Sequence, residues 1–112
     1  MSLEKSKIVF LLLPRIHMLD LSGPEQVFLE AQDMGLPIEI IHCSNSTTIT
    51  SSSGLSISGL QLYSDVATGK GDFIIIPGME VNYLLRHPIA EKQGIASWLK
   101  QAIDRGTIIC LF

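Results

Sequence analysis

Between Pro14 and Phe28 the sequence sets a histidine and an acid, His17 and Asp20, just ahead of a glycine–proline pair, Gly23-Pro24. An apolar run from Ile8 to Leu13 comes before them and is closed by Pro14. A carboxylate held past the end of a strand, beside the free N–H groups of a helix start, is placed to move a proton or to orient a polar ligand. Asp20 is therefore the first candidate catalytic residue. The same position also suits an ordinary turn cap, and local pattern leaves the two roles open. His17 lies in the same loop, but a lone histidine is more often a surface group than a catalyst. His42 falls inside a strand pattern, and His87 precedes a proline in a loop.

The second candidate is Pro77-Gly78-Met79, directly after another apolar run. A glycine there lets the chain turn sharply and can aim an amide at a substrate oxygen. An ordinary strand exit would look the same. The cysteines are weaker candidates. Cys110 sits between Ile109 and Leu111, and Cys43 ends a strand pattern; thiols in such places are usually buried and inert. No histidines, cysteines or acids have metal-ligand spacing, so no metal is expected. There is no Walker loop, no Gly-x-Gly-x-x-Gly and no Gly-x-Ser-x-Gly elbow, and no cofactor is expected.

These groups need a scaffold, and the totals allow one. The chain has 112 residues, 46% hydrophobic and 17% charged, enough for one domain with strands buried on both faces. Eight basic and eleven acidic residues give a net charge of −3, with no basic stripe for nucleic acid. The two cysteines make no disulfide framework and no secretory signal is evident, which predicts reduced thiols in a cytoplasm. The apolar runs are far too short to span a membrane.

Four short apolar runs read as buried strands: Ile8 to Leu13, Ile38 to Cys43, Asp72 to Pro77, and the segment after Gly106. Ser22-Gly23-Pro24-Glu25 reads as a helix start, with Val27, Phe28, Ala31 and Met34 at helical spacing and Gly35 as the stop. Thr47 to Tyr63 fits two short extended pieces with turns near Gly54 and Gly59, which a hairpin would pair, and it fits an irregular surface loop as well. Val81 to Leu85 fits a short helix. Ile95, Trp98, Leu99, Ala102 and Ile103 form an amphipathic stripe that ends at Gly106. Strands alternating with helices predict an α/β fold, a three-layer sandwich with a mostly parallel, flavodoxin-like sheet and helices on both faces. The last seven residues read as a helix exit and a fully buried strand with no cap after it, so the chain is read as truncated.

Together these segments resemble the ThiJ/PfpI superfamily, the class I glutamine amidotransferase-like fold. Phe10-Leu11-Leu12-Leu13-Pro14, Leu19-Asp20-Leu21-Ser22-Gly23-Pro24 and Val27-Phe28 are similar to the opening of one branch of it. That branch includes isocyanide hydratases and the N-terminal domains of AraC-type transcriptional regulators. Ser51-Ser52-Ser53-Gly54-Leu55, Asp72 to Gly78, Trp98-Leu99 and Arg105-Gly106 continue the likeness.

The resemblance implies that residues 1–112 are the N-terminal part of a single ThiJ/PfpI-like domain, ending just before the nucleophile elbow. The family's cysteine would fall immediately after Phe112. Asp20 matches the acid that faces that cysteine in the hydratases. Gly23, Gly78 and Met79 match ligand-binding positions, with Met79 where the family usually has a second glycine. A side chain in that approach suits a regulator that needs a ligand cavity rather than turnover. The resemblance therefore implies a cytoplasmic, dimeric, amidase-like domain of an AraC-type regulator, sensing a small ligand or supporting dimerisation. DNA would be bound only through a C-terminal helix-turn-helix region outside this sequence, and no membrane is involved. The alternative is a cysteine-dependent enzyme such as an isocyanide hydratase or amidase-like hydrolase. Nucleophilic catalysis is not expected of the segment itself.

Overall fold

The computed structural model describes residues 4–79 and 89–111, with side chains of the second α-helix described from residue 93. In chain order the elements are β1 (Ser6–Leu11), α1 (Met18–Asp33), β2 (Ile38–Ser44), β3 (Thr48–Thr50), β4 (Ser56–Ser58) and β5 (Gln61–Leu62). A 3-10 turn (Tyr63–Asp65), β6 (Phe73–Ile76), α2 (Ile89–Asp104) and β7 (Ile108–Leu111) complete them. The segment Val81 to Leu85, predicted as a short helix, lies outside the described residues.

Among the described residues, five strands form one sheet in the order β5-β2-β1-β6-β7. Every pairing in it is parallel. β1 is central because its sequence allows nothing else: Ile8, Val9, Phe10 and Leu11 are all at most 2% exposed. Alternate residues face opposite layers. Ile8 and Phe10 join a cluster with Leu21, Phe28, Ile75 and the hairpin residues Ile49 and Ile57. Val9 and Leu11 join Ile74, Trp98, Leu99 and Ala102. α1 and the antiparallel β3–β4 hairpin thus cover one face and α2 the other, as the alternating pattern predicted. Fully burying each such side chain contributes about 1.5–3 kcal/mol.

The boundaries differ from the sequence reading in instructive ways. β1 ends at Leu11, so Leu12 and Leu13 leave the ladder, although Leu12 stays buried. α1 begins at Met18, not at Ser22, and carries Pro24 inside it. Leu21 decides this: it is 5% exposed and packs against the sheet, and a helical turn around it is what buries it. Ser22 is not a cap; its hydroxyl donates back to the Met18 carbonyl at 2.8 Å. The earlier start also changes the helix phase. Leu21 and Phe28 face the core, whereas Val27 and Met34 are 65% and 85% exposed.

The final strand is also corrected. β7 pairs only with β6 among the described residues, and Ile108 and Leu111 are 52% and 76% exposed rather than buried. In α2 the stripe holds for Ile95, Trp98, Leu99 and Ala102, while Ile103, at its rim, is largely exposed.

Both helix exits are glycine motifs. Gly35 and Gly106 adopt φ values of 98° and 97°, accessible to glycine at little cost. In each, the following residue donates five positions back, Leu36 to the Ala31 carbonyl and Thr107 to that of Ala102.

Candidate functional site

In a parallel sheet of this order, the strand sequence reverses direction at β1, between β2 and β6. Ligands of such folds occupy the crevice past the carboxyl ends of the strands at that switch point. Here the crevice is bounded by the loop from Leu12 to His17, the first turn of α1, and the turn at Pro77–Met79.

The loop after β1 is held from three sides. Leu12 N–H donates to the Cys43 carbonyl at 2.9 Å, Arg15 N–H to Thr50 at 2.7 Å, and His17 N–H to Gly78 at 2.9 Å. The Ser52 N–H in turn donates to the Ile16 carbonyl at 2.9 Å. Ile16 is fully buried and forms an isolated antiparallel bridge with Met79. Arg15 takes a φ of 66°, a left-handed conformation that a non-glycine residue adopts at a cost of about 1–3 kcal/mol. That conformation turns the chain out of β1 and into α1.

Asp20 is brought to this crevice. It lies in the first turn of α1, whose N-cap is His17, and it is 41% exposed. The partial positive charge of the helix N-terminus suits a carboxylate there. His17 Nδ1 lies 3.6 Å from Asp20 Oδ2, which is charge proximity rather than a hydrogen bond. The N-cap makes no side-chain capping bond. Pro24 has no N–H to offer the Asp20 carbonyl, so that carbonyl lacks its helical donor. Asp20 and His17 therefore stand at the start of α1, and the loop that leads into it is bonded to Gly78 and bridged to Met79. Gly23 stands elsewhere: it is an exposed residue within α1, three positions beyond Asp20, with no heavy atom within 4 Å of where a Cβ would be.

Cys43 is not an activated nucleophile. Cys43 is fully buried on the α2 side of the sheet, and burial pushes its thiol up to about 12. Cys110 packs against the cluster on the α1 side.

One polar pair escaped the sequence reading. His42 Nε2 meets Glu25 Oε2 at 2.5 Å, joining β2 to α1. The His42 ring also stacks on Phe10, with centroids 5.6 Å apart and planes at 18°. The signal was present: an ionisable residue in the apolar run Ile40-Ile41-His42-Cys43, on the face that meets a helix, needs a partner.

Comparison with solved structures fits this architecture. An AraC family transcriptional regulator from Pseudomonas putida superposes with a TM-score of 0.73 at 16% identity, over 95% of this chain and 55% of that one. A ThiJ/PfpI family protein from Pseudomonas syringae gives 0.76 at 19%, over 97% and 42%. A DJ-1 superfamily protein from Salmonella typhimurium gives 0.68 at 15%, over 95% and 54%. The chain shares the α/β fold of these structures, the fold that the resemblance of its sequence motifs implied. The chain spans about half the length of these structures. No family model and no curated protein matches its sequence.

Proposed function

We propose that this chain is the N-terminal part of an amidase-like domain of an AraC-type transcriptional regulator, cytoplasmic and homodimeric, that senses a small ligand or supports dimerisation. The observation that carries the reading is the switch-point crevice. The bridge between Ile16 and Met79 sets a methionine, at the turn where turnover would favour a glycine, beside the loop that leads to Asp20, and this supports a ligand-sensing role. The fold shared with an AraC family regulator supports it. Asp20 would contact the ligand, with Gly78 and Met79 as further ligand-binding positions; Gly23, one turn further along α1, would not reach it. DNA would be bound by a separate C-terminal helix-turn-helix region.

The test is the complete gene product. It is expected to contain a helix-turn-helix segment beyond Phe112, to behave as a dimer in light scattering, and to shift promoter DNA on a gel. A product without that segment and without DNA binding would defeat the proposal.

The acid beside a helix N-terminus favours a second reading, a cysteine-dependent enzyme such as an isocyanide hydratase or amidase-like hydrolase. There a thiol directly after Phe112 would attack the substrate, and Asp20 would orient it or shuttle a proton. Alkylation of a low-pKa thiol at that position, with loss of isocyanide turnover, would decide for it.

A further inference from the structure

The Glu25–His42 pair stands at the polar end of a cavity of about 310 Å³ between α1, β2 and the β3–β4 hairpin. Leu12, Met18, Leu21, Ile57 and Leu60 form its apolar walls. It shares Leu12, Met18 and Leu21 with the elements that border the switch-point crevice, but Asp20, Gly78 and Met79 do not line it. Beyond the pair lies a second hollow of about 390 Å³, bordered by Leu29, Gln32, Glu39 and Ile40. Among the described residues no lysine or arginine lines either space.

We propose that the cavity binds a small primary amine carried on an apolar body, with the ammonium group on Glu25. His42 engages only Oε2 of that carboxylate, and Oε1 accepts no hydrogen bond from any described residue. An ammonium N–H can donate to Oε1 while the rest of the ligand displaces water from leucine, isoleucine and methionine side chains. The lining offers an anion no lysine or arginine: the ionisable groups of the cavity are Glu25 and His42, which already face each other, and the adjoining hollow adds the further carboxylate of Glu39. The stack on Phe10 and the bond to Glu25 hold His42 in place, so the carboxylate is oriented before the ligand arrives. The inference does not depend on whether the protein is a regulator or an enzyme.

The test is a titration of the isotope-labelled chain with benzylamine, benzyl alcohol and benzoate, followed by amide resonances. Benzylamine is expected to shift the amides of Glu25, His42 and Ile57 to Leu60 saturably, with a Kd at least about tenfold below that of benzyl alcohol, while benzoate gives no saturable shift. Glu25→Gln should erase the difference between amine and alcohol. Ile57→Trp, which fills the cavity and keeps the carboxylate, should abolish binding of both, and it decides alone if Glu25→Gln does not fold. Equal affinity for amine and alcohol, or unchanged benzylamine binding in Ile57→Trp, would overturn the proposal.

Discussion

The backbone N–H of His17 donates to the carbonyl of Gly78 across 2.9 Å, and this bond ties the loop after β1 to the turn after β6. These are the two strands that flank the switch point. The bond therefore fixes the width of the crevice in which Asp20 sits, three residues beyond His17. Ile16, buried beside Met79, reinforces the same junction. The acid is positioned by backbone geometry on both sides and not by a side-chain network.

Asp20→Asn separates chemistry from architecture. The side chain is 41% exposed and stands 3.6 Å from His17 Nδ1, so losing its charge removes helix-end and surface charge interactions worth about 0.3–1 kcal/mol. Urea denaturation should show a change of that size. In the complete protein, ligand affinity should fall about 10- to 100-fold if the carboxylate makes a charge-assisted bond to the ligand. If it moves a proton during turnover, kcat should fall about 10²- to 10⁴-fold. A variant that loses several kcal/mol of stability would instead mark Asp20 as structural.

Asp72→Ala should be far more damaging, although Asp72 lies at the opposite end of the sheet. Its carboxylate accepts the Lys7 N–H at 2.8 Å and the Gly69 N–H at 2.9 Å. Nearby, the buried Thr107 hydroxyl donates to Thr68 at 2.8 Å, closing the same corner. Removing the acceptor leaves two partly buried donors without partners, a loss of about 2–4 kcal/mol in urea melts. Asp72→Asn keeps one acceptor oxygen and should recover part of it.

What could be read from the sequence follows from how local each signal is. β1 and β6 were legible because an apolar run stopped by a proline has one good solution, a strand buried on both faces. The helix ends were legible because Gly35 and Gly106 mark them. The start of α1 was not, since Gly23-Pro24 imitates a helix entry and only the packing of Leu21 reveals the earlier turn. The exposure of β7 was hidden because a strand's place at an edge belongs to topology, not to its own residues. Gly78 was legible as a strand-exit position, whereas Asp20, read in the loop, lies in the first turn of α1. The Glu25–His42 pair was not, because its members lie 17 residues apart and meet only when α1 crosses β2.

Gly106→Ala tests the exit from α2. A Cβ there would meet Lys70 Cα and Cβ at 3.3 Å, and the φ of 97° is itself unfavourable for alanine. The two effects should lower stability by more than about 1 kcal/mol in thermal or urea unfolding. Gly23→Ala is the control. It is helical with open space around it, so it should be neutral or stabilising by up to about 1 kcal/mol.

Trp98 fastens α2 to the segment ahead of β6. Its indole N–H donates to the Val66 carbonyl at 3.0 Å, and its ring meets Tyr63 edge-on at 5.5 Å. Trp98→Phe keeps an aromatic ring but strands the carbonyl, so a loss of about 1–3 kcal/mol is expected. The sole tryptophan is also the natural probe of the wild-type transition. Far-ultraviolet circular dichroism can follow both proteins, and an unchanged midpoint would show that the bond contributes nothing.

Cys43 gives the fold a defined response to alkali. Burial raises its thiol from 9.0 to about 12, so the folded chain keeps a proton that the unfolded chain releases near 9.0. Below that pH both states hold the proton and this site adds no pH dependence. As pH rises from 9.0 toward 12, ionisation favours the unfolded chain, and stability falls by up to about 1.4 kcal/mol per pH unit. Urea melts between about pH 8 and pH 10.5 should show the decline in wild type and a shallower one in Cys43→Ala. At the lower pH a thiol reagent should modify Cys43 only after denaturant is added, because the neutral, enclosed sulfur is a poor nucleophile. Rapid labelling of Cys43 in the native chain would mean that β2 opens locally, and the alkaline decline would then need another source.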